Sequence, residues 1–184
     1  MLSRLSTQAG PMSFKPKSRV PYRYYRWSVT KVKDATQDLP DWPVGIMQAS
    51  EIQLFFAGTS YNISSATATN PGGSNPAGEE PTKINDGNTA TKFLDRSGNG
   101  VVLGIDTGST RSWKLVLDLG SGNARSVDTF RYATANDVPG RDPVRWTFEG
   151  SNDNTNWTTL HTQSTDATIT DTRFTYTQTF YFQV

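Results

Sequence analysis

Hydrophobic side chains in this chain recur two residues apart, and no window of eleven or more residues gives a convincing helical period. In "RVPYRYYRWSVTK", Tyr25, Trp27 and Val29 fall on one side while Tyr24, Arg26, Ser28 and Thr30 fall on the other. Successive side chains of a strand point to opposite faces, so this spacing predicts a half-buried strand. The alternation returns in "SEIQLFF" (Ile52, Leu54, Phe56), "SWKLVLDLG" (Trp113, Leu115, Leu117, Leu119), "SVDTFRYAT" (Phe130, Tyr132) and "VRWTFEG" (Val144, Trp146, Phe148). It returns again in "NWTTLHT" (Trp157, Leu160) and "RFTYTQTFYF" (Phe174, Tyr176, Phe180, Phe182). Many short alternating strands between Gly, Pro and Asn turns predict an all-β fold, an antiparallel sandwich or barrel. "GSNDNTNW", Gly150 to Trp157, predicts a hairpin turn. Gly58 to Gly87, rich in Gly, Pro, Ser, Thr and Asn, predicts irregular coil.

The 184 residues suffice for one domain with a substantial core. Residues 1 to 20, with Pro11 and Pro16, read as an extended arm ordered only by a partner; residues 21 to 184 read as the domain. The chain has no cysteine, which excludes disulfides, thiolate metal sites and a cysteine nucleophile. No run approaches the roughly 18 apolar residues of a membrane span, and the first residues lack the apolar core of a secretory signal. The expectation is a protein made in the cytoplasm, with Asn62-Ile63-Ser64 and Asn156-Trp157-Thr158 as ordinary loop residues.

Net charge is +1, but residues 1 to 33 hold eight Lys or Arg and no acid, while the remainder holds ten bases against seventeen acids. Such asymmetry predicts that the front docks on something acidic, either a partner or the chain's own body. Arg23 and Arg26 beside the aromatics are too few for a groove that tracks phosphates, so nucleic acid is not the expected partner.

Three loops carry candidate chemistry. "KINDGNTAT" offers Asp86, Asn88 and Thr91 around Gly87, the kind of oxygen set a calcium ion takes from a tight loop; the same residues suit an Asx turn. "LPDWPVG" places Trp42 among turn formers, as an exposed platform for a sugar ring would be, and Asn136, Asp137 and Arg141 supply polar partners in another loop. That second loop is equally readable as architecture, with Arg141 bridging Asp137 or Asp142. "DRSGNGVVLGID" spaces Asp95, Ser97, Asn99 and Asp106 loosely like a calcium loop, but a plain hairpin turn is the favoured reading. The lone histidine, His161, sits in an alternating strand and reads as solvated, and no nucleophile motif, phosphate loop or zinc spacing occurs. A non-catalytic protein is expected.

"TANDVPGRDPVRWTFEGSNDNTNWTTL", Thr134 to Leu160, resembles the discoidin domains, also called coagulation-factor C-type domains, of the galactose-binding-like superfamily. "KINDGNTATKFLD" is similar to that family's "DG....KWLD" loop, and "SWKLVLDLG" to its "W..iDLG" strand. "YRYYRWSVT" and "QASEIQLFFAG" resemble the family's last two strands, yet here they come first, which implies a circular permutation joined near Gly58 and Thr59. The resemblance implies a galactose-binding-like jelly-roll sandwich over residues 21 to 184. It also implies a structural calcium ion held by the Lys83 carbonyl, Asp86, Asn88, Thr91 and Glu51. Family members that bind galactose use a His and an Arg in these loops, and no His stands at a matching place here.

The resulting expectation is a module that binds a glycan or other surface ligand without catalysis. Its basic arm would anchor it in a homo-oligomer or larger assembly, such as the tail or capsid surface of a phage virion. The alternatives are a purely structural assembly protein that contacts only protein neighbours, and a nucleic-acid binder drawn by the basic front.

Overall fold

The computed structural model describes residues 20–34, 45–97 and 112–183. Tyr25, Trp27 and Val29 are almost completely buried along β1 (Tyr24–Val32), as their spacing demands. The remaining strands are β2 (Met47–Ala49), β3 (Glu51–Phe56), β4 (Thr59–Ser60), β5 (Thr67–Thr69), β6 (Phe93–Asp95), β7 (Trp113–Asp118), β8 (Thr129–Ala133), β9 (Pro143–Ser151), β10 (Thr158–Gln163) and β11 (Phe180–Tyr181). They form a five-stranded sheet ordered β10-β9-β1-β7-β5, a four-stranded sheet ordered β11-β8-β3-β4, and the pair β2-β6. Every pairing is antiparallel.

The two larger sheets meet through aromatic rings. From the five-stranded sheet come Trp27, Trp146 and Phe148; from the four-stranded sheet come Phe130, Tyr132 and Phe180. Their ring centroids lie 5.1 Å apart for Trp27 and Tyr132, 4.5 Å for Phe130 and Phe148, and 4.7 Å for Trp146 and Phe180. Such edge and offset contacts add to the burial of ring surface, which is the main term holding the layers together. The fold is an all-β sandwich. Its first strand, β1, is the middle strand of the five, and β3 lies between β8 and β4, so the opening of the chain is part of the core.

The basic front is partly neutralised by the body. Arg23 pairs with Asp118 at 2.7 Å, Arg26 with Glu149 at 2.6 Å, Lys31 with Asp166 at 2.7 Å, and Lys33 with Asp171. For these four bases the acidic partner is therefore the chain itself. Residues 1–19 lie outside the described residues.

Several expectations are corrected. Gly58 to Gly87 is not coil throughout: β4 and β5 lie in it, with Ala68 buried where β5 pairs with β7, and Pro81–Ile84 forms a 3-10 turn. Phe56 is only half-buried because the chain reverses directly after it. Phe174 is 47 % exposed and Tyr176 half-buried, since regular pairing in the last segment is confined to Phe180–Tyr181. His161 is 6 % exposed rather than solvated. A β-bulge between Thr159 and His161 breaks the alternation of β10 and turns Leu160 and His161 both inward. Both sequon asparagines, Asn62 and Asn156, are exposed in loops.

Candidate functional site

At the end of the sandwich where β3 begins, three chain segments from distant sequence positions converge. Glu51, the first residue of β3, is 4 % exposed. Its Oε1 accepts the backbone N–H of Gly87 at 2.7 Å and of Asn88 at 3.0 Å. Gly87 has φ of 79°, in the left-handed region that glycine adopts without strain, and this turn aims both amides at one carboxylate. Within the loop, Asp86 Oδ1 accepts from Asn88 N at 3.0 Å, Asn88 Oδ1 accepts from Ala90 N at 3.0 Å, and the Thr91 hydroxyl donates to Asp86 at 2.8 Å. Asp86 and Asn88 each cap a backbone N–H two residues on, so the Asx geometry that the sequence also suits is formed. Lys83 holds its ammonium 4.0 Å from Asp86 Oδ2.

Glu51, Lys83, Asp86, Asn88 and Thr91 are therefore together. Burial, and then the neighbouring Asp86, push the Glu51 carboxyl up to about 7, although the two loop amides pull the other way. The carboxylates of Glu51 and Asp86, with the Asn88 amide oxygen and the Thr91 hydroxyl, are oxygens of the hard kind that calcium takes. Among the described residues no group of three or more His, Cys, Asp or Glu surrounds a common point, so a cation here would depend on amide, hydroxyl and backbone oxygens as well.

Lys92 links this loop to the next. Its ammonium lies 2.9 Å from Asp137 Oδ2 and 3.5 Å from Glu79 Oε1, with the side chain buried. Asp137 is thus held mainly by Lys92, with Arg141 at 3.9 Å. The Asp137 carbonyl accepts from Gln48 Nε2 at 2.6 Å and from Arg173 Nη1 at 3.2 Å. Arg173 also clamps the buried carboxylate of Asp142 with bonds of 3.0 and 2.6 Å. Of the expected ligand residues, Asp137 and Arg141 are tied into this network, and Asn136 is exposed beside it.

Trp42 lies outside the described residues. So do Asn99 and Asp106. Asp34 N donates to Gly140 O at 2.8 Å, and Gln48 Nε2 to Asp137 O, so β1's end and β2 both meet the 137–140 loop. Asp95 is fully buried, with Oδ1 accepting from Ser74 N at 3.0 Å and from Ser97 N at 2.8 Å, which makes it a fastener of two loops.

One residue here was missed by pattern reading. Phe174 projects into solvent with φ of 57°, and its N–H donates to Thr134 O at 3.1 Å, two residues before Asn136. A bulky residue in the left-handed region is strained, and such strain persists only where surrounding bonds over-determine the backbone. Val138, φ 27°, is a second case in the adjoining loop. The available signal was the "TDTRF" run of turn-forming and polar residues ahead of Phe174, which argues against a strand starting there. No family model, curated protein or solved structure matches this chain.

Proposed function

We propose that the protein is a non-catalytic binding module that presents a glycan or other surface ligand to the loop end formed by residues 134–142 and 170–176. The observation that carries this reading is Phe174: an exposed aromatic residue with a strained backbone, tied to Thr134 and next in the chain to Arg173, whose guanidinium is fixed on Asp142. An exposed ring and the exposed Asn136, on loops held by this ion-pair network, offer stacking and hydrogen bonding at low ordering cost, as sugar recognition requires. The position of His161 supports the non-catalytic reading, because its ring is buried among Phe130, Trp146 and Phe182.

A structural calcium ion fits the same end. Glu51, Asp86, Asn88, Thr91 and the Lys83 carbonyl would hold it, and its charge would offset the two adjoining carboxylates. Bound there, calcium would cross-link the 83–91 loop to β3 and supply no chemistry to a ligand. Arg4, Lys15, Lys17 and Arg19 are the front bases left to anchor the module in a larger assembly, such as a virion surface.

A glycan array probed with and without chelator tests the reading. Binding that Phe174→Ala or Asn136→Ala abolishes at unchanged melting temperature supports it. Silence across the array, together with a complex that shrinks when residues 1 to 20 are deleted, favours the purely structural role.

A further inference from the structure

The outer face of the four-stranded sheet carries a second arrangement, which begins at Tyr176, where the 170–176 segment leaves the loop end. Along β3 the outward residues are Glu51, Gln53 and Phe55, paired across β8 with Ala133, Arg131 and Thr129. Tyr176 stands opposite Ala133, and Tyr181 of β11 opposite Thr129. The Arg131 guanidinium lies 4.4 Å from the Tyr176 ring centroid and 5.3 Å from that of Phe55, and its Nε donates to Gln53 Oε1 at 2.8 Å.

Two rings and one amide therefore fix the guanidinium, yet no carboxylate reaches it among the described residues. Arg23, Arg26, Arg141, Arg145 and Arg173 each have one within 4.0 Å. Glu51, on the same face, spends its carboxylate on the Gly87 and Asn88 amides. Stacking occupies the faces of a guanidinium and leaves its in-plane N–H edge, which is the edge that takes a carboxylate in a two-pronged pair. The rotamer entropy normally lost when arginine binds an anion is already spent here.

Tyr181 completes the set. It is 71 % exposed, and as the diagonal cross-strand neighbour of Arg131 it lies roughly 7–8 Å away, within reach of one small ligand. Of the large hydrophobic residues that are strongly exposed, only Tyr181 belongs to this face among the described residues. That is too little apolar surface to suggest a stable contact with a second copy, which buries on the order of 1,200–2,000 Å².

We propose that this face binds a carboxylated saccharide, its carboxylate on the Arg131 edge and its pyranose ring against Tyr181, with the Gln53 amide beside the ring hydroxyls. The site borders the loop end at Tyr176 but uses neither the Phe174 ring nor a bound cation.

The test is titration of the full chain with an oligogalacturonate, followed by NMR or calorimetry, against the neutral oligogalactose of the same length. Arg131→Gln and Tyr181→Ala should each weaken the acidic oligomer about tenfold or more, and Arg131→Lys should recover only part, because the charge returns without the fork. The neutral oligomer should bind far more weakly. Phe174→Ala and chelator should leave this binding unchanged. Both substitutions are on the surface, and unchanged melting temperatures would confirm the fold. Equal binding of the neutral oligomer, no binding of the acidic one, binding that survives Arg131→Gln, or loss on Phe174→Ala would each overturn the proposal. So would self-association that Tyr181→Ala abolishes.

Discussion

Arg173 Nη2 lies 2.6 Å from Oδ2 of Asp142, whose side chain is completely buried. Burial raises the Asp142 pKa and the guanidinium opposes the rise, so the pair exists because each charge pays the other's desolvation. Arg173→Gln should lower stability by about 3–5 kcal/mol at neutral pH, read as a shift of the urea midpoint. Asp142→Asn added to that variant should recover most of the loss. A double variant as unstable as the single one would show that Arg173 matters through its bond to the Asp137 carbonyl instead.

His161 sets a pH dependence. Burial lowers its pKa, and the rings of Phe130, Trp146 and Phe182 around it carry no charge to offset an imidazolium. The unfolded chain takes up a proton near the ordinary value of about 6.5, while the folded chain resists it. Stability from this group is therefore complete above about 6.5 and is lost as pH falls through the depressed folded value. Glu51 acts in the opposite sense, since its raised carboxyl favours the folded state at low pH. The measurable quantity is thus a difference: on going from pH 7 to pH 5, His161→Phe should lose less stability, or gain more, than the parent does, by denaturant unfolding at both pH values.

Gly150 is needed for a close approach. A Cβ added there would stand 2.6 Å from Cγ and 2.8 Å from Cε2 of Tyr22, whose backbone pairs with Arg125. Gly150→Ala should cost about 1–3 kcal/mol by displacing the ring. With Tyr22→Ala also present, the added cost of the alanine should fall close to zero in a double-mutant cycle.

Phe174 should show opposed effects on stability and binding. Its ring gains little from burial, while its left-handed backbone costs on the order of 1 kcal/mol. Phe174→Asn should hold or raise the melting temperature and weaken a loop-end ligand. A marked fall in melting temperature would mean the ring packs against something that stabilises the fold.

Much of the fold was legible because alternation is a local property. Trp27, Leu115, Phe130, Trp146 and Phe148 stand inside, where their spacing puts them, and each strand predicted through them exists. The failures share a cause. At His161 a bulge changed the phase of β10, and at Phe174 the loop preceding the last strand ran longer than its apolar residues suggested. Neither a bulge nor a strand boundary leaves a periodic trace. β5 escaped notice for a related reason: three residues are too few to show a period, and only pairing with β7 orders them.

The candidate site divides in the same way. Asp86, Asn88 and Thr91 are close in sequence and could be grouped by composition around Gly87, and Glu51 could be added to them only through the family resemblance. That Lys92 would hold Asp137, that Arg173 would reach Asp142, and that Arg131 would meet no acid among the described residues could not be read in advance.

By itself the sequence determined the class of fold, because burying every second side chain against another layer is the only way such a pattern can leave water. The tertiary structure decided which strands became neighbours and which charges met. Those depend on contacts between residues far apart in the chain, and no local pattern specifies the partner.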